Sequence, residues 1–467
     1  MPTSNSPQPP IDRRSFLGGA ASLAALGAVP VAASARTHAP KPRKLAKNLI
    51  FAVADGCGPG TIQLGEHFVN LRDGRSLNWT KLLKRKDATT SIIDTACADG
   101  YVTDSAASAS AWAIGEPVNY RAISWTPDNR SPRPLFLRAQ DSGKAIGMVS
   151  NTYIWDATPV AWVANAPDRK RHRLDLAEQL VESGANVALG GGAAAFGDDI
   201  LSAAQNLTVV RDKAELEKHA HSNSRLLGLF EDHDIDYQFE KNPSVPDLSQ
   251  MTSVALARLR AASPDGFTLL VEGAKIDHAA HANDAPALVT ELAHFDALLG
   301  SLIEFAENDG QTLLVVTSDH ANANPGVTYY GPRGRDSFKN ILKATHSLEW
   351  VTKEADGSLG PERNAQLIFE RLKQASGLPL TKQDHAQLAD LFNQLPVDAF
   401  ALNSSIYALL GSICAHHTGV AFLSPNHTSD PVYATAIGPG SELFDPFMPI
   451  HDIHHKLVAA LGLEPVA

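Results

Sequence analysis

Apolar segments with the length of buried strands alternate with amphipathic helical segments along most of the chain, and this alternation limits the possible folds more than any other feature. The predicted strands are Leu49–Ala54, Ala145–Ser150, Asn186–Leu189, Thr268–Glu272, Leu313–Thr317 and Val432–Ile437. The predicted helices are Asp104–Ala113, Leu135–Asp141, Leu174–Glu182, Met251–Ala261 and Ala285–Glu307. This pattern predicts an α/β fold in which helices cover both faces of a largely parallel central sheet.

In a sheet of this kind, ligands bind beyond the carboxyl ends of the strands, so polar residues that follow a predicted strand are candidate site residues. The segment 272–284, EGAKIDHAAHAND, begins at the end of one apolar run and contains Glu272, Asp277, His278 and His281. Asp277 and His281 are four residues apart and share one face of a helical turn, so they can bind one ion together. The alternative for this segment is an ordinary polar helix start.

Three further strand ends carry residues that suit metal ions. TLLVVTSDHAN places Asp319 beside His320, and carboxylate oxygen and imidazole nitrogen are standard zinc ligands. YIWDATP places Asp156 two residues before Thr158, a hard oxygen pair that suits Mg²⁺. NLIFAVADGCG places Asp55 before two glycines, although Asp-Gly is also an ordinary turn signal.

VTDSAASASAW begins a predicted helix with Asp104 and Ser105, and two interpretations of this start remain open. Either residue can serve only as the N-cap of the helix. Alternatively, Ser105 is a nucleophile, because a helix N-terminus favours a bound anion and the small neighbours admit a bulky group. Arg169, in the segment APDRKRH, can bind two phosphate oxygens at once, with a solvated basic loop as the alternative.

Six motifs together resemble those of the alkaline phosphatase family, in the family's order and over residues 48 to about 462. They are VADGCG, YVTDSAASASAWAIG, DATP, VEGAKIDHAAHAND, VVTSDHA and NHTSDPV…GPG. The resemblance implies an alkaline phosphatase-like fold and an enzyme that hydrolyses small-molecule phosphate monoesters through a phosphoserine. It also implies two zinc ions and one magnesium ion as cofactors, and it is compatible with a homodimer.

The resemblance further implies a role for each candidate residue. Ser105 is the nucleophile, Arg169 holds the phosphoryl oxygens, and His278 binds phosphate or tunes a metal ion. The implied zinc ligands are Asp55, Asp319 and His320 for one ion and Asp277, His281 and His427 for the other. The implied magnesium ligands are Asp55, Asp156, Thr158 and Glu272.

The last zinc ligand has an alternative in the segment HHTG, which begins at His416 and His417. We prefer His427, because HTSDPVY leads directly into the last predicted strand, as in the family. Two other readings of the whole site stay open: a phosphodiesterase or sulfatase of the same superfamily, and a non-catalytic relative that binds metal or phosphate. The presence of Arg169 and of the magnesium set argues against a diesterase, because a diester offers these groups fewer free oxygens.

Residues 322–425 interrupt the alternation of strands and helices. A loop rich in Gly, Pro and Asn is followed by the helical patterns RNAQLIFERLKQ and TKQDHAQLADLF. We predict an inserted, mostly helical subdomain here, so that the catalytic domain comprises residues 48–321 and 426–467. The segment HDIHHK near the C-terminus predicts a solvated helix start.

The N-terminus predicts an export signal in residues 1–35. Arg13 and Arg14 precede an apolar region rich in Ala, Leu and Gly, which ends in the cleavage pattern A-x-A at 33–35. Export by the twin-arginine route is expected, with a membrane anchor as the alternative. Residues 36–47 then form a linker, and the mature protein is expected to be periplasmic or secreted, without stable membrane insertion.

Charge and cysteine usage exclude two further classes. The chain carries a formal net charge of −11 and contains no long run of Lys or Arg, so nucleic acid is not an expected partner. Three cysteines, Cys57, Cys97 and Cys414, are too few for a disulfide framework, and the sequence does not decide whether two of them pair.

Overall fold

The computed structural model describes residues 42, 44–222, 224–355, 361–394 and 406–465. The predicted export signal and most of the predicted linker therefore lie outside the described residues. The end of the linker is attached to the core, because the N–H of Ala46 donates to Ala460 O and the N–H of Lys47 donates to Gln311 O.

The described strands, in chain order, are β1 (Asn48–Ala54), β2 (Thr89–Asp94), β3 (Ala145–Tyr153), β4 (Val187–Gly191), β5 (Leu207–Val210), β6 (Arg225–Leu229), β7 (Phe267–Gly273), β8 (Thr312–Thr317), β9 (Ala321–Asn322), β10 (Gly326–Val327), β11 (Val420–Ala421), β12 (His427–Thr428), β13 (Val432–Ile437) and β14 (Phe447–Pro449).

The described α-helices are α1 (Pro59–Asp73), α2 (Asn78–Leu83), α3 (Ser105–Ile114), α4 (Leu135–Asp141), α5 (Ala157–Val160), α6 (Arg173–Glu182), α7 (Asp198–Ala203), α8 (Lys213–Lys218), α9 (Leu248–Ala262), α10 (Lys275–His281), α11 (Ala285–Asp309), α12 (Gly331–Phe338), α13 (Leu348–Thr352), α14 (Pro361–Ser376), α15 (Lys382–Gln394), α16 (Ile406–Thr418) and α17 (Asp452–Leu461). Short 3₁₀ helices span Ala193–Ala195, Lys339–Lys343 and Ser441–Leu443.

Ten of the strands form one central sheet in the order β14-β2-β13-β8-β1-β7-β3-β4-β6-β5. Strand β13 runs antiparallel to its neighbours β8 and β2, whereas the other pairs in this sheet are parallel. The predicted largely parallel sheet is therefore confirmed. Each predicted strand is present, but the sequence analysis missed β2, β5, β6 and β14, which are short and lie towards the two edges.

Both faces of the sheet are covered, as predicted. On β1, Leu49, Phe51 and Val53 face an apolar layer that includes α3, whereas Ile50 and Ala52 face a second layer that includes α11. The period of two along a strand separates these side chains. Because both sets are buried, the strand is apolar throughout and presents its polar chemistry only where it ends.

Helix α3 is buried along its whole length, and this anchors its first residue. The Trp112 ring packs 5.0 Å from the Phe51 ring. His454 of α17 is fully buried beside the helix end: its Nδ1–H donates to Trp112 O at 2.9 Å, and its Nε2 accepts from Arg138 at 3.1 Å. The expectation that HDIHHK is solvated is therefore wrong at His454, because both ring nitrogens have protein partners.

The predicted insertion contains α12 to α16 and the two-residue strands β10 and β11, which pair with each other. Helices α13 to α16 surround an apolar cluster that is separate from the two layers on the sheet. The two helical patterns predicted in this region correspond to α14 and α15, whereas the boundaries of the subdomain stay a prediction. All three cysteines are free thiols, which answers the question of a disulfide.

One helix of the described chain, α11, is long and apolar enough to cross a membrane by length and composition alone. Most of its apolar stretch is buried within the protein, where it packs against α1, α2 and α10. This burial is typical of a core helix.

Candidate active site

Four neighbouring strands of the sheet deliver the acidic candidates to one edge. Strands β8, β1, β7 and β3 are adjacent, and all four are parallel. Asp319 follows β8, Asp55 follows β1, and Asp156 follows β3, whereas Glu272 is the second-to-last residue of β7. The carboxyl ends of parallel strands meet at the same edge, so residues far apart in sequence become neighbours.

The first cluster consists of Asp55, Asp319 and His320, which are all buried. Each offers one ligand atom, and these atoms lie within 4.8 Å of one another. His320 Nε2 is 3.0 Å from Asp319 Oδ2 and 3.7 Å from Asp55 Oδ1. Ser105 Oγ lies 3.4 Å from the same His320 nitrogen. A cation in this cluster would therefore lie next to the serine hydroxyl.

The second cluster consists of Asp277, His281 and His427, whose ligand atoms also lie within 4.8 Å of one another. His281 Nδ1–H donates to Pro425 O at 2.7 Å, and His427 Nδ1–H donates to Thr103 O at 2.9 Å. The two Nε2 atoms then face each other at 3.0 Å, beside the Asp277 carboxylate. Two facing lone pairs and a carboxylate form a donor set that suits a zinc ion.

The structure places His427, and not the alternative histidines, in this cluster. Strand β12 pairs with β9, and His427 lies directly opposite Asn322 in that pair. His416 and His417 lie on α16 instead, where His417 Nε2 is 3.5 Å from Asp384.

The residues of the implied magnesium site are only partly gathered. Glu272 and Thr158 are buried, and the Ser150 hydroxyl donates to Glu272 Oε2. Asp156 Oδ1 instead accepts a hydrogen bond from Arg169 Nη2. Within the described parts of the chain, these acids and Asp55 do not make a third group with ligand atoms as close as those of the two clusters.

The charge balance of the site favours bound cations. Burial, together with the charges of Asp319 and Asp277, raises the pKa of Asp55 well above its usual range. Burial likewise raises the pKa of Glu272 to about 8, although the Ser150 hydroxyl opposes the shift. Carboxylates that are this costly to ionise in the bare protein are stabilised by metal ions. The acidic donors of the first cluster and of the implied magnesium site therefore fit metal binding.

The hydrogen bonds of Asp104 decide between the two interpretations of the start of α3, and they include a contact with Arg169. It is the N-cap of α3, because its Oδ1 accepts from the N–H of Ala107 at 3.1 Å. Ser105 is therefore the first helical residue and not the cap. The other oxygen of Asp104 lies 3.5 Å from Arg169 Nη1. The capping residue thus holds the arginine near the serine, a function that the sequence analysis missed.

The residue after Asp55 has to be glycine, because Asp277 of the second cluster lies close to its backbone. Gly56 has a φ of 67°, and a Cβ there would lie 2.5 Å from Asp277 Oδ1. The N–H of Gly56 donates to Asp319 Oδ1 at 3.1 Å. Any side chain at this position would push the two clusters apart.

Asn322 is a second residue that the sequence analysis missed. Its Nδ2 donates to Asp277 Oδ1 at 2.6 Å, and its backbone belongs to the strand that pairs with His427. Ala323 follows with a φ of 57°, which is unusual for a residue with a side chain and marks a constrained turn. The signal in the sequence was its position, two residues after His320.

Replacing Asn322 with alanine is expected to weaken zinc binding at the second cluster about tenfold to a hundredfold, because hydrogen-bond partners of metal ligands contribute on that scale. Chelator competition measures the affinity. Asn340→Ala is the control, since Asn340 Nδ2 also donates to one carbonyl oxygen, that of His417. Equal zinc affinity in Asn322→Ala and the wild type would contradict the assigned contact.

The model of the family described as alkaline phosphatase matches residues 46–463. Repressible alkaline phosphatase of Saccharomyces cerevisiae is 32% identical over 348 residues, which cover 66% of this chain and 61% of the yeast protein. The matched region is thus less than two thirds of the yeast protein. Streptomycin-6-phosphate phosphatase of Streptomyces griseus is 30% identical, with 67% of this chain and 81% of that protein covered.

Among solved structures, Thermus thermophilus alkaline phosphatase is similar to this chain with a TM-score of 0.82 and 28% sequence identity. The match covers 92% of this chain and 94% of the Thermus chain.

Proposed function

The chain belongs to the alkaline phosphatase family, and from this premise we propose that it hydrolyses phosphate monoesters through a phosphoserine on Ser105, with two zinc ions and one magnesium ion. The observation that carries the proposal is the position of the Ser105 hydroxyl. It lies 3.4 Å from His320 Nε2 and at the N-terminus of a buried helix. Few structural roles require a serine at that point, because Asp104 already caps the helix.

In the proposed reaction, Ser105 Oγ attacks phosphorus, and the alcohol of the substrate leaves as the new O–P bond forms. Water then cleaves the O–P bond of the phosphoserine and releases inorganic phosphate. Splitting one slow displacement into two is the advantage of covalent catalysis. The free N–H groups at the start of α3 and the helix dipole favour the phosphoryl oxygens.

Arg169 binds two phosphoryl oxygens in this proposal. Asp104 and Asp156 lie on either side of its guanidinium, and the Arg169 N–H donates to Arg121 O at 2.9 Å. Burial opposes the charged form of Arg169, but the charges of Asp156 and Asp104 raise its pKa above the ordinary value. The arginine is therefore held in place as a permanent cation before substrate arrives.

The two clusters would hold the zinc ions, and Asp55, Asp156, Thr158 and Glu272 would hold the magnesium ion. When bound, these ions supply positive charge to the attacking and leaving oxygens and activate the water of the second step. Asp156 has to turn from Arg169 to join the magnesium set. We therefore expect the third site to be the weakest of the three.

Hydrolysis of a phosphodiester or a sulfate ester is the second candidate function. The Streptomyces relative is named for a single substrate, streptomycin 6-phosphate, so members of this family are not all described as general phosphatases. A phosphodiesterase would have less use for Arg169, because a diester offers the arginine fewer free oxygens. Comparing turnover of p-nitrophenyl phosphate with that of its diester distinguishes a monoesterase from a diesterase.

We also propose that the protein is exported by the twin-arginine route. The support is the sequence of residues 1–35, in particular Arg13 and Arg14 before the apolar region. Replacing both arginines with lysine should keep the enzyme in the cytoplasm, and fractionation of the cells measures this. Unchanged export would contradict the proposal.

The first experiment is a metal titration of residues 36–467 at alkaline pH. We expect about two zinc ions per chain, hydrolysis of p-nitrophenyl phosphate that a chelator abolishes, and recovery with zinc plus magnesium. Elemental analysis and release of p-nitrophenol measure the two quantities. A folded chain that binds no zinc in zinc-containing buffer would overturn the mechanism, and bound zinc without monoester turnover would favour the second candidate.

A further inference from the structure

Asp234 contacts two side chains of α10, the helix that would carry two of the zinc ligands. Its Oδ2 lies 2.6 Å from Lys275 Nζ and 3.2 Å from His278 Nδ1. Lys275 and His278 both belong to α10, which also carries Asp277 and His281. One carboxylate oxygen therefore fixes two side chains of this helix from outside it.

The loop that carries Asp234 is itself held against the sheet. The N–H of Gly192 donates to His233 O at 2.7 Å and to Glu231 O at 2.9 Å. At Gly191 a Cβ would lie 2.2 Å from His233 O, so only glycine permits this approach. The loop therefore rests on the end of β4, and Asp234 starts from a fixed backbone position.

Lys275 anchors Asp234 from the other side. The lysine is 2% exposed, and its ammonium lies 3.9 Å from the centre of the Tyr237 ring. The Tyr237 hydroxyl donates to Glu349 Oε1 of α13 at 3.0 Å. A buried ammonium needs a charged partner, so the ion pair with Asp234 is tightly constrained.

Around the axis of α10, His278 lies between Lys275, which contacts Asp234, and the zinc-ligand candidate His281. Successive residues of a helix are rotated by about 100°, so His278 lies about 60° from His281 on one side and about 60° from Lys275 on the other. It thus separates the zinc-ligand face from the anchored face. Its side chain is 28% exposed, so it is accessible to a ligand.

Tyr153 links the loop of Asp234 to one residue of the implied magnesium site, Asp156. Burial and then the charges of Asp234 and Asp156 raise the pKa of the Tyr153 phenol. The Tyr153 ring lies 6.5 Å from the ring of His233, the neighbour of Asp234, and Tyr153 O accepts from the N–H of Asp156 at 2.9 Å. Tyr153 thus connects the loop of Asp234 to Asp156, which contacts Arg169. Because His278 contacts Asp234, we expect its ring on the side of the site where Arg169 would hold the phosphoryl group.

We propose that Asp234, anchored by Lys275, is a positioning residue that orients His278 towards the bound phosphate. This inference rests on the proposed function. Asp234 acts through His278 by holding Nδ1, which leaves Nε2 as the nitrogen available to phosphate or to a water on it. Fixing the ring in advance avoids the loss of side-chain freedom on binding.

The test is a double-mutant cycle with Asp234→Asn, His278→Ala and the double variant. In the zinc-loaded protein, Asp234→Asn should raise the Kd of inorganic phosphate and the KM about tenfold, the scale of one hydrogen bond to a charged group, with kcat within about threefold. The double variant should bind phosphate no more weakly than His278→Ala alone, because Asp234 then has no ring to orient. Isothermal titration calorimetry measures the binding.

The control is Asp232→Asn, an exposed residue of the same loop, which should leave phosphate affinity unchanged. Zinc content and the unfolding temperature of each variant show whether it folds with both ions. Unchanged phosphate affinity in a folded Asp234→Asn, or additive losses in the double variant, would overturn the proposal. A wild type that binds zinc but neither binds phosphate nor hydrolyses the monoester overturns the proposed function itself.

Discussion

Replacing Ser105 with alanine is expected to lower kcat/KM for p-nitrophenyl phosphate on the order of 10⁴-fold or more, the scale seen when a nucleophile is removed from a covalent mechanism. The structure gives the reason. Ser105 Oγ is the hydroxyl beside His320 Nε2 at the start of α3, and it is 8% exposed as a residue, so bulk water has little access to replace it.

The same variant separates the nucleophile from the metal site. Ser105 contributes no atom to either cluster, so Ser105→Ala should still bind about two zinc ions and inorganic phosphate. It should not become covalently labelled by a phosphorylated substrate, and rapid mixing should show no burst of p-nitrophenol.

Ser110→Ala is the matched control on the same helix. The Ser110 hydroxyl donates to Ala122 O and accepts from the N–H of Ser124, so its loss affects packing and not the reacting atoms. We expect a lower unfolding temperature and nearly unchanged kcat. Turnover by Ser105→Ala within tenfold of the wild type would exclude the phosphoserine route.

The residues that the sequence analysis identified share one property: each lies in a short motif at a strand end or a helix start. Asp319 and His320 are adjacent, and Asp277 and His281 are four residues apart on one turn. An apolar strand leaves few places for polar chemistry, so its last residues stand out. Local pattern was therefore enough to identify the candidate ligands, whereas their assignment to two zinc sites came from the resemblance to the family.

The residues that were missed depend on contacts between distant segments. Asp234 reaches His278 across 44 positions of the chain, and nothing in its own surroundings, EDHDID, distinguishes it from a solvated loop. Asn322 acts on Asp277 from 45 positions away. Such partners depend on how the strands are ordered in the sheet, which periodicity does not predict.

Burial of polar residues was similarly hard to predict. His454 lies in a segment with three histidines and an aspartate, which is typical of a solvated helix start. It is buried because Trp112 O and Arg138 satisfy its two nitrogens. Strand β2 was missed for a different reason, because its alternating buried and exposed residues give a weaker signal than a continuous apolar run.

Replacing Asp277 with asparagine is expected to remove one zinc ion per chain and to lower turnover at least about a hundredfold. Asp277 is the only acidic member of the second cluster, and its two oxygens lie 3.3 Å from His281 Nε2 and 3.7 Å from His427 Nε2. An amide supplies no negative charge to the zinc ion. The loss of zinc affinity should therefore exceed the roughly 10- to 100-fold loss expected when a hydrogen-bond partner of a ligand, such as Asn322, is removed. Elemental analysis and chelator competition measure the zinc, and p-nitrophenol release measures the turnover.

The control is Asp284→Asn, seven residues further along the same segment. Asp284 is buried and caps α11, with Oδ1 accepting from Ala287 N–H and Oδ2 from Leu348 N–H. Asparagine keeps one acceptor oxygen for the N-cap and loses the bond from Leu348 N–H, but it removes no ligand atom of either cluster, so this variant should keep both zinc ions. The two substitutions make the same chemical change in buried carboxylates of one motif, and they differ in whether histidine nitrogens face the carboxylate. Two zinc ions retained by Asp277→Asn would show that the second cluster is not a zinc site, whereas zinc lost from both variants would assign the effect to folding.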